Sequence, residues 1–349
     1  MNPWGYVDTR GAWDDVSALP ERLHAAFDDA RRSTAATAVA PSPTRAVVAF
    51  AQGTGALACE AAAALTAAHL TVPFTVIRAA DVPAFVDRHT LAFAVSLSGE
   101  GDGVPEAAAV AAARGAHLVA IGQAGANGLD SAASSVLRCP LDDTGSPRAN
   151  LAAATMSVLA VLATCDLVRD PASSVGAAAA ALARRRDAWL SPGAAPEELA
   201  RRLGRTIPLV YGAEGVAAVA ARWWKTGVNR NAKAPAFAAS LPSVTYDELA
   251  GWGQGGDVTR QTMSLVLLRH AGETPSVGAL FESVRAATDE IMAHLFEVRA
   301  EGADDLCRFF DLALFGELVS LHLAGREGVD PGPAPVVEQS HPVGPDRPN

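Results

Sequence analysis

Residues 45–51, apolar throughout after Arg45, form a run that ends in Gln52-Gly53-Thr54-Gly55 and passes at once into an alanine-rich stretch reaching about His69. A run with no polar face fits only a strand covered on both sides, as in a parallel sheet, and the glycines mark the tight turn into a helix. The same plan recurs. Residues 72–78 and 91–97 are predicted strands, and the second closes on a turn, Ser98 to Gly103. Pro105 then sits in the first turn of a helix, where its missing N–H costs nothing. That helix closes at Gly115, and residues 117–122 read as another strand. Strand, glycine turn and helix in alternation predict an α/β fold with a doubly wound parallel sheet of flavodoxin-like type.

The plan starts again later in the chain. Residues 206–211 are a predicted strand, Gly212 a turn and 214–226 a helix. A further strand is expected over 263–270, then two long helices near 276–300 and 303–325. The repetition implies internal duplication, hence two such sheets with flanking helices. Residues 150–205 read as helical, broken at Pro171 and at Ser191-Pro192-Gly193. The expected organisation is therefore a first domain over 1–165, opened by an amphipathic helix over 14–32. A helical connector follows over 166–205, then a second domain over 206–349 whose Pro- and Gly-rich tail starts near Gly328.

Composition excludes several functions. The chain has 349 residues and a formal net charge of −10, against the basic surface a nucleic-acid binder needs. One phosphate group is still compatible with that charge, because backbone N–H groups and hydroxyls at a helix start suffice to hold it. The four cysteines are far apart and form no CxxC pair, which predicts no structural metal and a reducing, cytoplasmic setting. Met1-Asn2-Pro3-Trp4-Gly5 lacks the basic start and apolar core of a secretory leader. The most apolar window, 151–165, falls short of the roughly 20 residues of a membrane span, so no membrane partner is expected.

The turn after residue 97 carries the strongest chemical signal. Ser96 and Ser98 offer hydroxyls, and Gly99, Gly101 and Gly103 let the backbone come close to a ligand. The next helix points its N–H groups at the same place, which suits an anion such as the phosphate of a sugar. An ordinary glycine-rich turn with a serine cap reads the same way locally. Gly53 and Thr54 sit at the equivalent place after the first strand, where ligands of such sheets bind.

Residues 96–101 with the following VPEAAAVAAARGAHLVAIG resemble the sugar isomerase (SIS) domain. Across the chain the pattern is similar to the bifunctional phosphoglucose/phosphomannose isomerase family, which is made of two SIS domains. Pro147-Arg148-Ala149 fits its Pro-Arg motif. Arg222-Trp223 and the NRNAKAPAF block from Asn229 to Phe237 fit its N-E-N-A-K-x-P-A-F signature. Glu248, Gly251 and Trp252 fit its H-N-E-x-x-G-W segment, and Val329-Asp330-Pro331 a late motif. The resemblance implies aldose–ketose isomerisation of glucose 6-phosphate and mannose 6-phosphate through an enediol. It implies no metal or organic cofactor, and a homodimer.

The departures fall where the chemistry is. The family's base, the Glu of N-E-N-A-K, is Arg230, which cannot accept a proton. Its ring-opening His is Tyr246, a poor base near neutrality. The family's first-loop Ser is Gly55, and the hydroxyl after Ser-Gly-x is Gly101. The family's late Lys corresponds, by counting from Pro331, to His341. Candidate catalytic residues are thus Arg148, Glu248 and His341, with Asp247 as a further carboxylate. Candidate substrate contacts are Gly53, Thr54, Ser96, Ser98, Gly99, Arg230 and Tyr246. Two functions follow: an isomerase whose base has moved, or a non-catalytic phosphosugar sensor or regulator.

Overall fold

The computed structural model describes residues 4–34, 43–78, 81–97, 103–122, 137–140 and 147–333. The opening helix expected over 14–32 is two helices, α1 (Ala12–Ser17) and α2 (Leu19–Thr34). Pro20 explains the break, because proline cannot donate to the carbonyl one turn back and its ring clashes there. Asp8 starts α1 by accepting the N–H groups of Ala12 at 2.8 Å and Trp13 at 3.0 Å.

The chain divides into two units. The first, Glu21–Gly176, is built on one parallel sheet. In chain order it contains β1 (Ala46–Ala51), α3 (Gly53–Thr66), β2 (Phe74–Ile77) and β3 (Thr90–Ser96). There follow α4 (Val104–Ala113), β4 (His117–Gly122), β5 (Leu137–Pro140) and α5 (Pro147–Thr164). The strand order is β2-β1-β3-β4-β5, the flavodoxin-like arrangement expected. β1 and β3 are buried at every position, as their unbroken apolar runs require. One face packs Val48, Phe50, Ala92, Ala94 and Leu118 against Val104, Ala107 and Ala111 of α4. On α5, Thr155 reaches Ala58 O of α3 at 3.4 Å. Alanine on both helices is what lets them lie this close.

The second unit, Met1–Pro20 with Ala177–Pro333, is discontinuous in sequence. The opening residues and most of the expected connector therefore cluster with the second sheet rather than standing apart from it. α6 (Ala172–Trp189) runs into this unit, followed by α7 (Ala195–Leu203), β6 (Ile207–Ala213) and α8 (Val216–Gly227). A π-helical turn, Val228–Ala232, leads to β7 (Phe237–Leu241), α9 (Ser243–Asp247) and α10 (Gly256–Thr262). Then come β8 (Met263–His270), α11 (Pro275–Thr288), β9 (His294–Ala300) and α12 (Asp305–Arg326). The sheet order is β7-β6-β8-β9, all parallel, the same winding as β2-β1-β3-β4.

Three expectations change here. The helix foreseen over 276–300 stops at Thr288, and its last part is strand β9. β7, at the other edge, was not foreseen. Gly212 is not a turn but part of β6. A Cβ there would lie 2.3 Å from Ala217 O, so glycine is needed for α8 to pass over the strand. α12 is buried almost throughout and forms the unit's central helix. Gly316 gives room on it for Trp224, whose indole N–H donates to Leu312 O at 2.8 Å.

Candidate functional site

In the first unit the candidate residues gather where β1 and β3 end side by side, with Ala51 paired to Val95. Gly53 opens α3 with φ of +48°, a conformation that favours glycine. Thr54 follows, and its Oγ1 is sealed from solvent without a hydrogen-bond partner among the described residues. A buried hydroxyl left in that state is uncommon and marks a place where a polar ligand group gains by arriving. Gly55 has a structural reason to differ from the family's serine: a Cβ there would sit 3.1 Å from Val95 O and 3.2 Å from Val95 Cγ1. Ser96 is the last residue of β3 and is buried. Helix α4 starts at the same edge, behind Gly103 with φ of +71°. Ser98 and Gly99 lie outside the described residues, as does His341. Arg148 is the second residue of α5, and its side chain is not among those described.

In the second unit the signature block makes the π-helical turn at the end of α8. Such turns insert an extra residue and re-aim side chains. Two asparagines fix it. Asn231, fully buried, donates from Nδ2 to Glu317 Oε2 at 3.0 Å and Ser320 Oγ at 2.7 Å, both on α12. Asn229 Oδ1 accepts the Ala236 N–H at 3.1 Å. Lys233 leaves the turn in the left-handed region, φ +54°, and its Nζ donates to the Arg230 carbonyl. Arg230 is half-buried on this turn. The two amides of the block thus hold the position that carries Arg230, whatever side chain stands there.

Tyr246 lies on α9 with its side chain 82% exposed, so it does not close onto Glu248 within this unit. Glu248 follows α9 and is half-buried. Its Oε2 accepts a 2.5 Å hydrogen bond from the phenol of Tyr211, a buried residue of β6. Burial, and then the bond to Glu248, push the Tyr211 phenol far above its ordinary range, so it stays protonated and donates. Tyr211 and the α12 partners of Asn231 were not singled out from sequence. An aromatic residue in a buried strand carries no signal that its hydroxyl meets a carboxylate.

Two other polar places exist in this unit. A cleft of about 590 Å³ lies between α6 and the β9–α12 turn. On its wall Arg185 makes a two-pronged pair with Asp311, at 2.8 and 3.1 Å, and a further bond to Glu301. Its charges already satisfy one another. The Cys307 thiol beside them is pushed up to about 11 by burial, which makes it unreactive. His322 on α12 is fully buried among Trp4, Trp13 and Tyr6, at ring distances of 4.4, 5.0 and 6.1 Å. Among the described residues no group of three or more His, Cys, Asp or Glu side chains is placed to hold a metal. None of the described helices is long and apolar enough to cross a membrane.

Residues 194–340 match the family model of the bacterial phospho-glucose isomerase C-terminal SIS domain. The chain is 24% identical over 279 residues to the bifunctional phosphoglucose/phosphomannose isomerase of Caldicellulosiruptor bescii, covering 76% of this chain and 80% of that one. The chain is thus similar to the bifunctional phosphoglucose/phosphomannose isomerases, and its second half to their C-terminal SIS domain. Solved structures show that the fold of this chain is shared more widely. A hypothetical protein from Thermus thermophilus superposes with a TM-score of 0.71 at 15% identity, over 95% of this chain and 89% of that one. The tagatose-6-phosphate ketose/aldose isomerase of Escherichia coli gives 0.66 at 13% identity, over 93% and 95%.

Proposed function

We propose that this protein is an aldose–ketose isomerase of phosphorylated hexoses, interconverting glucose 6-phosphate or mannose 6-phosphate with fructose 6-phosphate. The observation that carries the reading is the state of Glu248. One oxygen is tied to Tyr211, and the other has no partner among the described residues, on a half-buried side chain. A carboxylate so placed is a base that has lost its freedom to turn but not its capacity to accept a proton. The family relationship supports the isomerase over the non-catalytic sensor.

Each candidate residue has a distinct duty in this reaction. Gly53, Thr54, Ser96, Ser98 and Gly99 would hold the phosphate, Thr54 through its unsatisfied hydroxyl. Glu248 would remove the C2 proton of the open-chain aldose. The C2–H electron pair then forms the C1=C2 bond of the enediol as the C1 carbonyl oxygen takes a proton from solvent. The proton on Glu248 exchanges with solvent while the enediol is bound, and delivery of a proton from Glu248 to C1, with loss of the C2 hydroxyl proton to solvent, gives the ketose, so protons and electrons balance. Arg148 would stabilise the enediolate. Arg230 and Tyr246 would contact the sugar as donors, and His341 is a further acid–base candidate. The reaction needs no cofactor. A cytoplasmic homodimer is the form we expect.

The test is proton exchange. Fructose 6-phosphate incubated with the protein in D₂O should yield aldose 6-phosphate carrying deuterium at C2, and Glu248→Gln should abolish it. Absence of exchange with any hexose phosphate refutes the reading. Arg230→Glu, which restores the family's residue on the same clamped turn, is expected to raise the rate.

A further inference from the structure

The base assigned above stands on a tyrosine that no motif marks. Tyr211 is on β6, hydrogen-bonded on one side to β7 and on the other to β8, in register with Ala239 and Leu267. Its ring lies in the core with Leu209, Leu241, Leu265 and Leu267. A side chain in the middle of a sheet and packed on all sides has no alternative rotamer within reach. Its hydroxyl is therefore a fixed point. Glu248, by contrast, follows a five-residue helix and begins a short 3-10 turn, Leu249–Gly251. A half-exposed glutamate on such a segment would sample several rotamers without an anchor. The 2.5 Å bond from the phenol is its only hydrogen-bonded side-chain contact among the described residues.

We propose that Tyr211 is the positioning residue of the reaction, holding Oε2 of Glu248 so that Oε1 is the oxygen that takes the proton. The proposal rests on the reading of Glu248 as base. The arrangement also separates two duties that a solvent-exposed carboxylate would perform poorly together. One oxygen keeps the side chain in place while the other exchanges protons with carbon.

Tyr211→Phe keeps the ring and removes the donor. The expected result is a kcat about tenfold lower with KM within about twofold, as for a misplaced rather than a missing base. The carboxylate can also be read without turnover, in a crystal structure of Tyr211→Phe, where Glu248 should spread over more than one rotamer. If it keeps its single position, the positioning role is refuted, whatever the activity. If it spreads while Glu248→Gln keeps full activity, the hydrogen bond is real, but the base reading fails and takes this proposal with it. Should Tyr211→Phe fail to fold, Glu248→Asp withdraws the carboxylate from the phenol by one methylene. It should show the same loss of kcat with KM within about twofold, and an unchanged kcat overturns the proposal.

Discussion

Lowering the pH should loosen the second unit through one residue, His322. Both ring nitrogens are buried without a partner among the described residues, inside a box of Trp4, Tyr6 and Trp13. The charged groups that act on it are Glu197, which favours its protonation, and Arg326, which opposes it. Desolvation is the largest effect, and it lowers the imidazole from 6.5 to about 4. The sign follows directly. Above 6.5 the ring is neutral in both folded and unfolded chains, and the stabilisation is complete. As pH falls from 6.5 towards 4, the unfolded chain takes up a proton that the folded chain refuses, so stability is lost. With these two values, linkage gives a loss on the order of 1 kcal/mol at pH 5.5 and about 3 kcal/mol near pH 4. His322→Phe fills the same box with an apolar ring and removes the titration. The assay is urea unfolding followed by tryptophan fluorescence at pH 7.5, 6.5, 5.5 and 4.5, read as the difference between wild type and variant at each pH. That difference should grow steadily towards the acid side. Parallel curves for the two proteins would refute the reasoning, because they would show that His322 is protonated in the folded state without penalty.

Three further outcomes are expected. Gly316→Ala places a Cβ 2.3 Å from Trp224 Nε1 and should lower stability by about 1–3 kcal/mol, with a changed tryptophan emission. Asn231→Ala strips two bonds from α12 and leaves the buried Glu317 short of a donor. It should cost about 2–3 kcal/mol in chemical unfolding and reduce kcat by displacing the π-helical turn. Arg185→Met leaves the Asp311 carboxylate buried beside Glu301 without its cation, and should destabilise by about 3–5 kcal/mol. Arg185→Lys should recover only part of that, since an ammonium cannot make the two-pronged contact.

Much of the fold is legible in the sequence because its central strands are apolar on both faces. β1, β3, β6 and β8 stand out as unbroken runs, and the glycines after them mark where the chain must turn. The edge strands are harder. In β9 the sequence HLFEVRA alternates buried and exposed positions, and it follows a helix without proline or an obvious break. A helical pattern can then be extended on paper to where a strand has already begun. β7 suffers from the same half-exposure, and the block before it reads as a motif rather than as a strand. At the site, the sequence points to positions but not to contacts. Glu248 was nameable from its motif, yet the bond that fixes it comes from Tyr211, more than thirty residues earlier. Gly55 looked like a lost hydroxyl, and its closeness to Val95 shows that a side chain there would also meet the backbone of β3. Tyr246 looked like a substitute in the reaction, but its exposure depends on how α9 lies over the sheet, which no local pattern records.

The discontinuity of the second unit has a consequence for how the molecule is made. Thr9 and Asp330, joined at 2.5 Å, are 321 residues apart. At synthesis rates of about 5–20 residues per second, the aromatic segment around Trp4, Tyr6 and Trp13 waits for roughly 15–60 s before α12 is available to it. Throughout that time its rings have no core to enter. A chain cut short before α12 keeps them uncovered for good. The segment therefore reports assembly of this unit: it disappears into the protein only when α12 has arrived, and until then it presents an apolar surface of the kind chaperones and proteases recognise.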